Sequence, residues 1–192
     1  MSLSLEQLVA IASNYWPSTR NGDHRLGQDI NPEARRLHEL WEQEIKRINR
    51  WWAFLDELRG ELPGFFIGDA TATPDACFRC VVYPGEERPL PALHWVVVGC
   101  VSIIAPVYAV YGVQFEEGEK TRVFRAMDSD SQRPEIKAPA EVIARRVEAE
   151  FGFARLPREM AQTLVPLFVQ QKEPPETTLF HALFTNEPEN IP

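Results

Sequence analysis

Residues His94 to Phe115 (HWVVVGCVSIIAPVYAVYGVQF) contain no Asp, Glu, Lys or Arg. An uncharged apolar run of this length has two physical outlets, a helix across a bilayer or the interior of a folded body. Gly99, Ser102, Pro106, Gly112 and Gln114 interrupt it, and valine and tyrosine prevail where a spanning helix favours leucine. Its flanks are acidic, with Glu86-Glu87 before it and Glu116-Glu117-Gly118-Glu119 after it, so no positive-inside signal marks an orientation. β-branched and aromatic side chains fit a pleated surface, and proline, which cannot donate to a ladder, belongs at a strand end. The run therefore splits at Ala105-Pro106 into strands over about 94–104 and 107–116. Apolar residues at both parities make these central strands, covered on both faces.

The remainder of the chain is amphipathic or polar and supplies the cover. Ser4, with Gln7 three residues on and Leu3 and Leu8 placed as a staple, starts a helix over about 4–15. Asn31-Pro32 starts a long helix over about 32–59, as N-cap and first helical residue. Its stripe is Leu37, Trp41, Ile45, Ile48, Trp52, Leu55 and Leu58, and Gly60 and Pro63 end it. Shorter strands are expected over about 65–68, 78–83 and 121–127, with a hairpin loop at Glu116 to Lys120. Pro139 and Pro157, each followed by a glutamate two residues later, open helices over about 139–151 and 157–165. Residues 18–30 read as a polar loop. The tail beyond Lys172 is rich in Pro and Glu, but Leu179 to Phe184 carry too much apolar surface to float. The fold class is α+β: a central antiparallel sheet of about four to six strands, packed by a long N-terminal helix and by C-terminal helices.

At 192 residues one domain, residues 1–192, is expected, long enough to bury a core without metal or disulfides. Three cysteines give no disulfide framework, and the first residues lack the basic region of a secretion signal; both fit a cytoplasmic protein. The formal net charge of −8 repels a phosphate backbone, so neither nucleic acid nor membrane is an expected partner. Arg35-Arg36 and Arg145-Arg146 lie among glutamates on helices and read as solvated faces. Such a charge is suited to a basic protein partner.

Few residues suggest chemistry. Cys77-Phe78-Arg79-Cys80 has C-x-x-C spacing, which serves redox or zinc chemistry at a helix start or on a tight turn. Here it runs into Val81-Val82-Tyr83, and residues three apart on a strand point to opposite faces, so the thiols read as buried and structural. His38 and His94 read as packing residues and His24 as a loop residue; no histidines have metal-ligand spacing. Ser102 lacks the glycines of a nucleophile elbow. No phosphate-binding glycine motif occurs. A catalytic role, a cofactor and a metal are therefore not expected. Trp51 and Trp52 are adjacent on a helix, about 100° apart, so both cannot point into the core, and Trp51 is assigned to a partner surface.

The segments Val101-Ser102-Ile103-Ile104-Ala105-Pro106-Val107-Tyr108-Ala109-Val110-Tyr111 and Leu179-Phe180-His181-Ala182-Leu183-Phe184 resemble those of small bacterial immunity proteins encoded beside polymorphic or contact-dependent toxins. That resemblance implies a cytoplasmic, non-enzymatic inhibitor that binds a cognate, basic toxin domain and occludes its active site. The residues expected to meet the partner are Glu116, Glu117, Glu119, Asp128, Asp130 and Trp51, with Asp23 and Asp29 behind them, acids steering and an aromatic anchoring. Two other classes stay open: an adaptor or assembly component of a secretion or phage-like machine, homodimeric in one form, and an enzyme with a dispersed site.

Overall fold

The computed structural model describes residues 3–19, 31–85, 93–117, 122–128 and 133–192. The apolar run forms two adjoining strands, β3 (Leu93–Ser102) and β4 (Val107–Glu117), which turn at Ile103 to Pro106. Before them come β1 (Phe65–Asp69) and β2 (Cys77–Pro84), and after them β5 (Arg122–Asp128). The sheet order β1-β2-β3-β4-β5 follows the chain, and every one of these neighbours is antiparallel. β3 is thus the central strand. Val96, Val97 and Val98 are all buried, so both faces of the sheet are dry there. Among the described residues no helix is long and apolar enough to cross a membrane. A short strand that the sequence did not announce, β6 (Ala154–Arg155), pairs in parallel with Val107 and Tyr108 at the start of β4.

The N-terminal helix α1 (Leu5–Ala12) begins as expected, with the Ser4 and Gln7 capping box closed in both directions. The long helix is not continuous. It divides into α2 (Pro32–Ile45), capped by Asn31 with Pro32 at its first position, and α3 (Ile48–Glu61). The reason lies in the packing. Residues ten apart on a straight helix are separated by about 15 Å along its axis. Trp41 and Trp51 nevertheless both lie 5.2 Å from the ring of Phe78 on β2, one edge-on and one stacked. Both can reach one ring only because the chain leaves the helix at Lys46-Arg47. The buried stripe changes phase at that break and continues as Trp51, Phe54, Leu55 and Leu58, leaving Ile45 and Trp52 exposed.

α3 and α4 (Pro134–Phe151) cover one face of the sheet. α4 starts one proline earlier than expected, at Pro134, and carries Pro139 inside it. The extra turn is held because Ile136 packs over Gly112 of β4: a Cβ on that glycine would come 2.7 Å from Ile136 Cδ1. Further along, Ile143 packs over Gly99, and Glu148 accepts a 2.6 Å hydrogen bond from the Tyr108 hydroxyl. Gly152, at φ 69°, ends the helix in the left-handed conformation that glycine adopts without penalty.

The other face is closed by α1 and the C-terminal segment. The helix expected over 157–165 is only the single turn α5 (Arg158–Ala161), and the apolar tail docks as α6 (Leu179–Leu183). Leu179, Ala182, Leu183 and Phe184 are fully buried, and Trp16 donates its indole N–H to the Ala182 carbonyl at 2.7 Å. Residues beyond α6 lie across the strands: Tyr111 donates to the Pro188 carbonyl and Arg79 to that of Glu187. Arg122 donates to the carbonyls of Ile191 and Pro192.

Candidate binding surface

β5 is the outermost strand on its side of the sheet, and among the described residues no strand pairs with its free edge. Its register against β4 shifts: Ala126 faces Gln114 and Phe124 faces Phe115, which leaves Arg125 as the extra, bulged residue. A bulge of this kind twists an edge and re-aims its side chains. Phe124 stands edge-on to Phe115, and Arg122 lies 4.2 Å over the same ring. Val123, Phe124 and Met127 are 41, 45 and 47% exposed. Three large apolar side chains exposed on one short strand are the strongest surface feature of this side of the molecule.

The acids expected to steer a partner have a different character in the folded chain. Glu116 is held by Arg125, whose Nε donates to Oε2 at 2.5 Å. Asp128 accepts from Arg133 at 2.8 Å, and that guanidinium also lies 4.9 Å over the Trp95 ring. Both of these described carboxylates are answered locally by an arginine, which screens their charge. Glu117 ends β4; its side chain, together with Asp23, His24, Asp29, Glu119 and Asp130, falls outside the described residues.

Trp51 is not at a surface. It is 1% exposed and stacks with Phe54 at 5.1 Å and with Phe78 at 5.2 Å, whereas Trp52 is 51% exposed. The assignment of Trp51 to a partner surface is corrected by the phase change at the α2–α3 break. His38 also departs from the packing role given to it: its ring is exposed and lies 3.5 Å from Glu42.

The cysteines are buried and unlinked. Cys80 sits opposite Gly99 beneath α4, and Cys77, on the opposite face, lies beside Cys100 and Arg79. Burial pushes the Cys80 thiol up to about 12 and the Cys77 thiol well above its ordinary value, so neither is a thiolate at neutral pH. Asp75 and Arg79 extend this buried polar group. Arg79 donates to the Ala70 and Glu187 carbonyls, and Asp75, at 4.0 Å from that guanidinium, accepts from Gln170. Burial raises the Asp75 carboxyl despite the Thr185 hydrogen bond and the Arg79 charge. A shifted carboxyl beside two thiols is a known sign of catalytic sites. Here Arg79 holds backbone carbonyls of the loop before β2 and of the C-terminal segment, and Asp75 accepts from Gln170, which ties these segments together. Among the described residues no group of His, Cys, Asp and Glu is placed to hold a metal ion. No protein-family model, no curated protein and no solved structure matches the chain.

Proposed function

We propose that this chain is a protein-binding module that neutralises a cognate toxin in the cytoplasm by direct stoichiometric contact, in the manner of an immunity protein. The observation that carries the reading is β5, an outer strand with Val123, Phe124 and Met127 exposed between two ion-paired carboxylates. An apolar centre with a polar rim is the layout of a protein interface. A strand edge offers a partner main-chain hydrogen bonds, and alternate side chains supply specificity. The role of the acids shifts accordingly: paired Glu116 and Asp128 set orientation, and the aromatic and thioether side chains anchor. Phe124, not Trp51, is the anchor.

The test is co-expression with the toxin-like product of an adjacent reading frame, followed by size-exclusion chromatography and growth rescue. The wild-type chain is expected to co-elute and to rescue. Phe124→Asp combined with Met127→Asp is expected to do neither while melting within about 0.5 kcal/mol of wild type, as exposed substitutions do. Phe66→Asp, on the opposite outer strand, serves as the control that keeps both. Rescue without complex formation refutes the proposal.

A further inference from the structure

The extra residue in β5, Arg125, changes which side chains share a face. On a regular strand, residues three apart point to opposite faces, and Phe124 and Met127 would be divided. The bulge removes one step: Phe124 lies opposite Phe115 and Met127 opposite Val113, which are two apart on β4 and so on one face of it. Tyr111, two residues further back on β4, belongs to that face as well. Phe124, Met127 and Tyr111 therefore align on the side closed by the C-terminal segment, where the Tyr111 hydroxyl donates to the Pro188 carbonyl. A hollow of about 180 Å3 opens at the end of this line. Tyr111 and Phe180, whose rings meet edge-on at 5.6 Å, and Met127 and Pro188 give it an apolar lining.

Chemistry and size narrow the occupant. The Tyr111 hydroxyl is committed to Pro188, and Thr178 and His181 close each other's capping box. Burial, then the Lys172 charge, lowers the His181 pKa, so its ring is neutral at pH 7. A polar head placed inside would lose water and gain little in return. The exposed Arg158 and Gln162 form a polar rim. A cavity of about 150 Å3 holds benzene, and sites for drug-sized molecules begin near about 300 Å3. One leucine or phenylalanine side chain fits between these limits. A second hollow, of about 300 Å3, adjoins the first across Phe180 towards β6 and is lined by no residue of β5. Only the first is continuous with the β5 surface.

We infer that this hollow receives one leucine or phenylalanine side chain of the protein that covers β5. Met127 belongs both to the exposed strand and to the lining, so a partner packed on Phe124 and Met127 lies over the opening. An apolar side chain sunk in a pocket near the centre of an interface carries a large share of the binding energy. This contact rests on the reading of β5 given above and adds the residue that the partner must carry.

The test has two arms, both on the full chain. In the first, the methionine methyl groups carry 13C and are read during titration with N-acetyl-L-phenylalaninamide and N-acetyl-L-leucinamide; Met127→Leu identifies the Met127 signal by its disappearance. A saturable shift of that signal is expected with both, and none with N-acetylglycinamide, which lacks the side chain. Ala161→Phe fills the hollow from α5, and Gln162→Trp covers it from the rim. Either is expected to abolish the shift. Gln162 is exposed, so its variant folds whether or not Ala161→Phe does. In the second arm the same variants are co-expressed with the toxin-like product of the adjacent reading frame. Each is expected to weaken the complex about tenfold or more, whereas Ala53→Phe, on the exposed side of α3, leaves it unchanged. No saturable shift overturns the inference and leaves the β5 surface standing. So does a complex that tolerates both filling variants but is broken by Phe124→Asp with Met127→Asp. A complex indifferent to that β5 pair as well refutes the reading of β5 itself.

Discussion

Gly99 lies where α4 comes closest to the middle of the sheet, and alanine there tests the layer geometry directly. The added methyl would sit 2.8 Å from Ile143 Cγ2 and 2.9 Å from Cys80 Sγ. Both neighbours are buried and held close to their own backbones, so the strain is met by moving α4 or β2. Overpacking of this kind costs about 1–3 kcal/mol. Against it, replacing glycine lowers the entropy of the unfolded chain, returning about 0.4–1 kcal/mol. The net expectation is a loss of about 1–2 kcal/mol, a fall of about 0.5–1 M in urea midpoint for a protein of this size. Gly112→Ala is expected to cost a similar amount, because its methyl would meet Ile136 Cδ1 at 2.7 Å and the Trp95 ring at 3.0 Å. The assay is equilibrium urea denaturation of both variants, of Ile143→Ala, and of the Gly99→Ala/Ile143→Ala pair. Ile143→Ala alone should cost about 2–5 kcal/mol and, in the Gly99→Ala background, about 1 kcal/mol less through the shared contact. An unchanged midpoint for Gly99→Ala, or additivity of the pair, refutes the packing argument.

Three further outcomes follow from the buried polar groups. Native protein is expected to leave Cys77, Cys80 and Cys100 unreactive towards a thiol-exchange dye at neutral pH, with all three titrating in urea; a fast-reacting thiol in the native state contradicts their placement. Arg79→Met strands Asp75 and frees two carbonyls, and is expected to cost about 3–5 kcal/mol by chemical denaturation, part of it recovered when Asp75→Asn is added. His181 accepts the Thr178 N–H at Nδ1, 3.0 Å away, and burial, then the Lys172 charge, lowers its pKa from 6.5. Its folded state resists protonation, so its contribution to stability is complete above pH 6.5 and is lost as pH falls towards the lowered value. Urea midpoints compared at pH 7.5 and pH 5 should show that loss, and it should shrink in His181→Asn; an unchanged pH dependence in that variant rules out the cap.

Local signals carried well from sequence to structure. Ser4 with Gln7 and Asn31 with Pro32 satisfy their helix ends within a few residues, and Pro106 divides the apolar run where it must. What failed was set by contacts distant in sequence. Nothing between Glu44 and Ile48 stops a helix, and the break appears only once Trp41 and Trp51 must share Phe78. The sequence pointed to Pro139 as the first residue of α4, and the start at Pro134 is explained only once Ile136 is placed over Gly112. At the candidate surface the acids were legible but their arginine partners were not, since Arg125 reaches Glu116 across a bulge. Val123, Phe124 and Met127 look like ordinary strand residues in the sequence, and only the topology, which leaves β5 outermost, makes them a surface.

The C-terminal segment has a consequence for how the chain must be made. Residues 177–191 seal one side of strands that leave the ribosome well before them, through Tyr111 to Pro188, Arg79 to Glu187 and Arg122 to Ile191. Until they emerge, the nascent β2–β4 meander has a naked valine- and tyrosine-rich side. Stalled or shortened chains lacking this stretch would be clients of a chaperone, and residues 177–191 decide whether the strands made before them stay in solution.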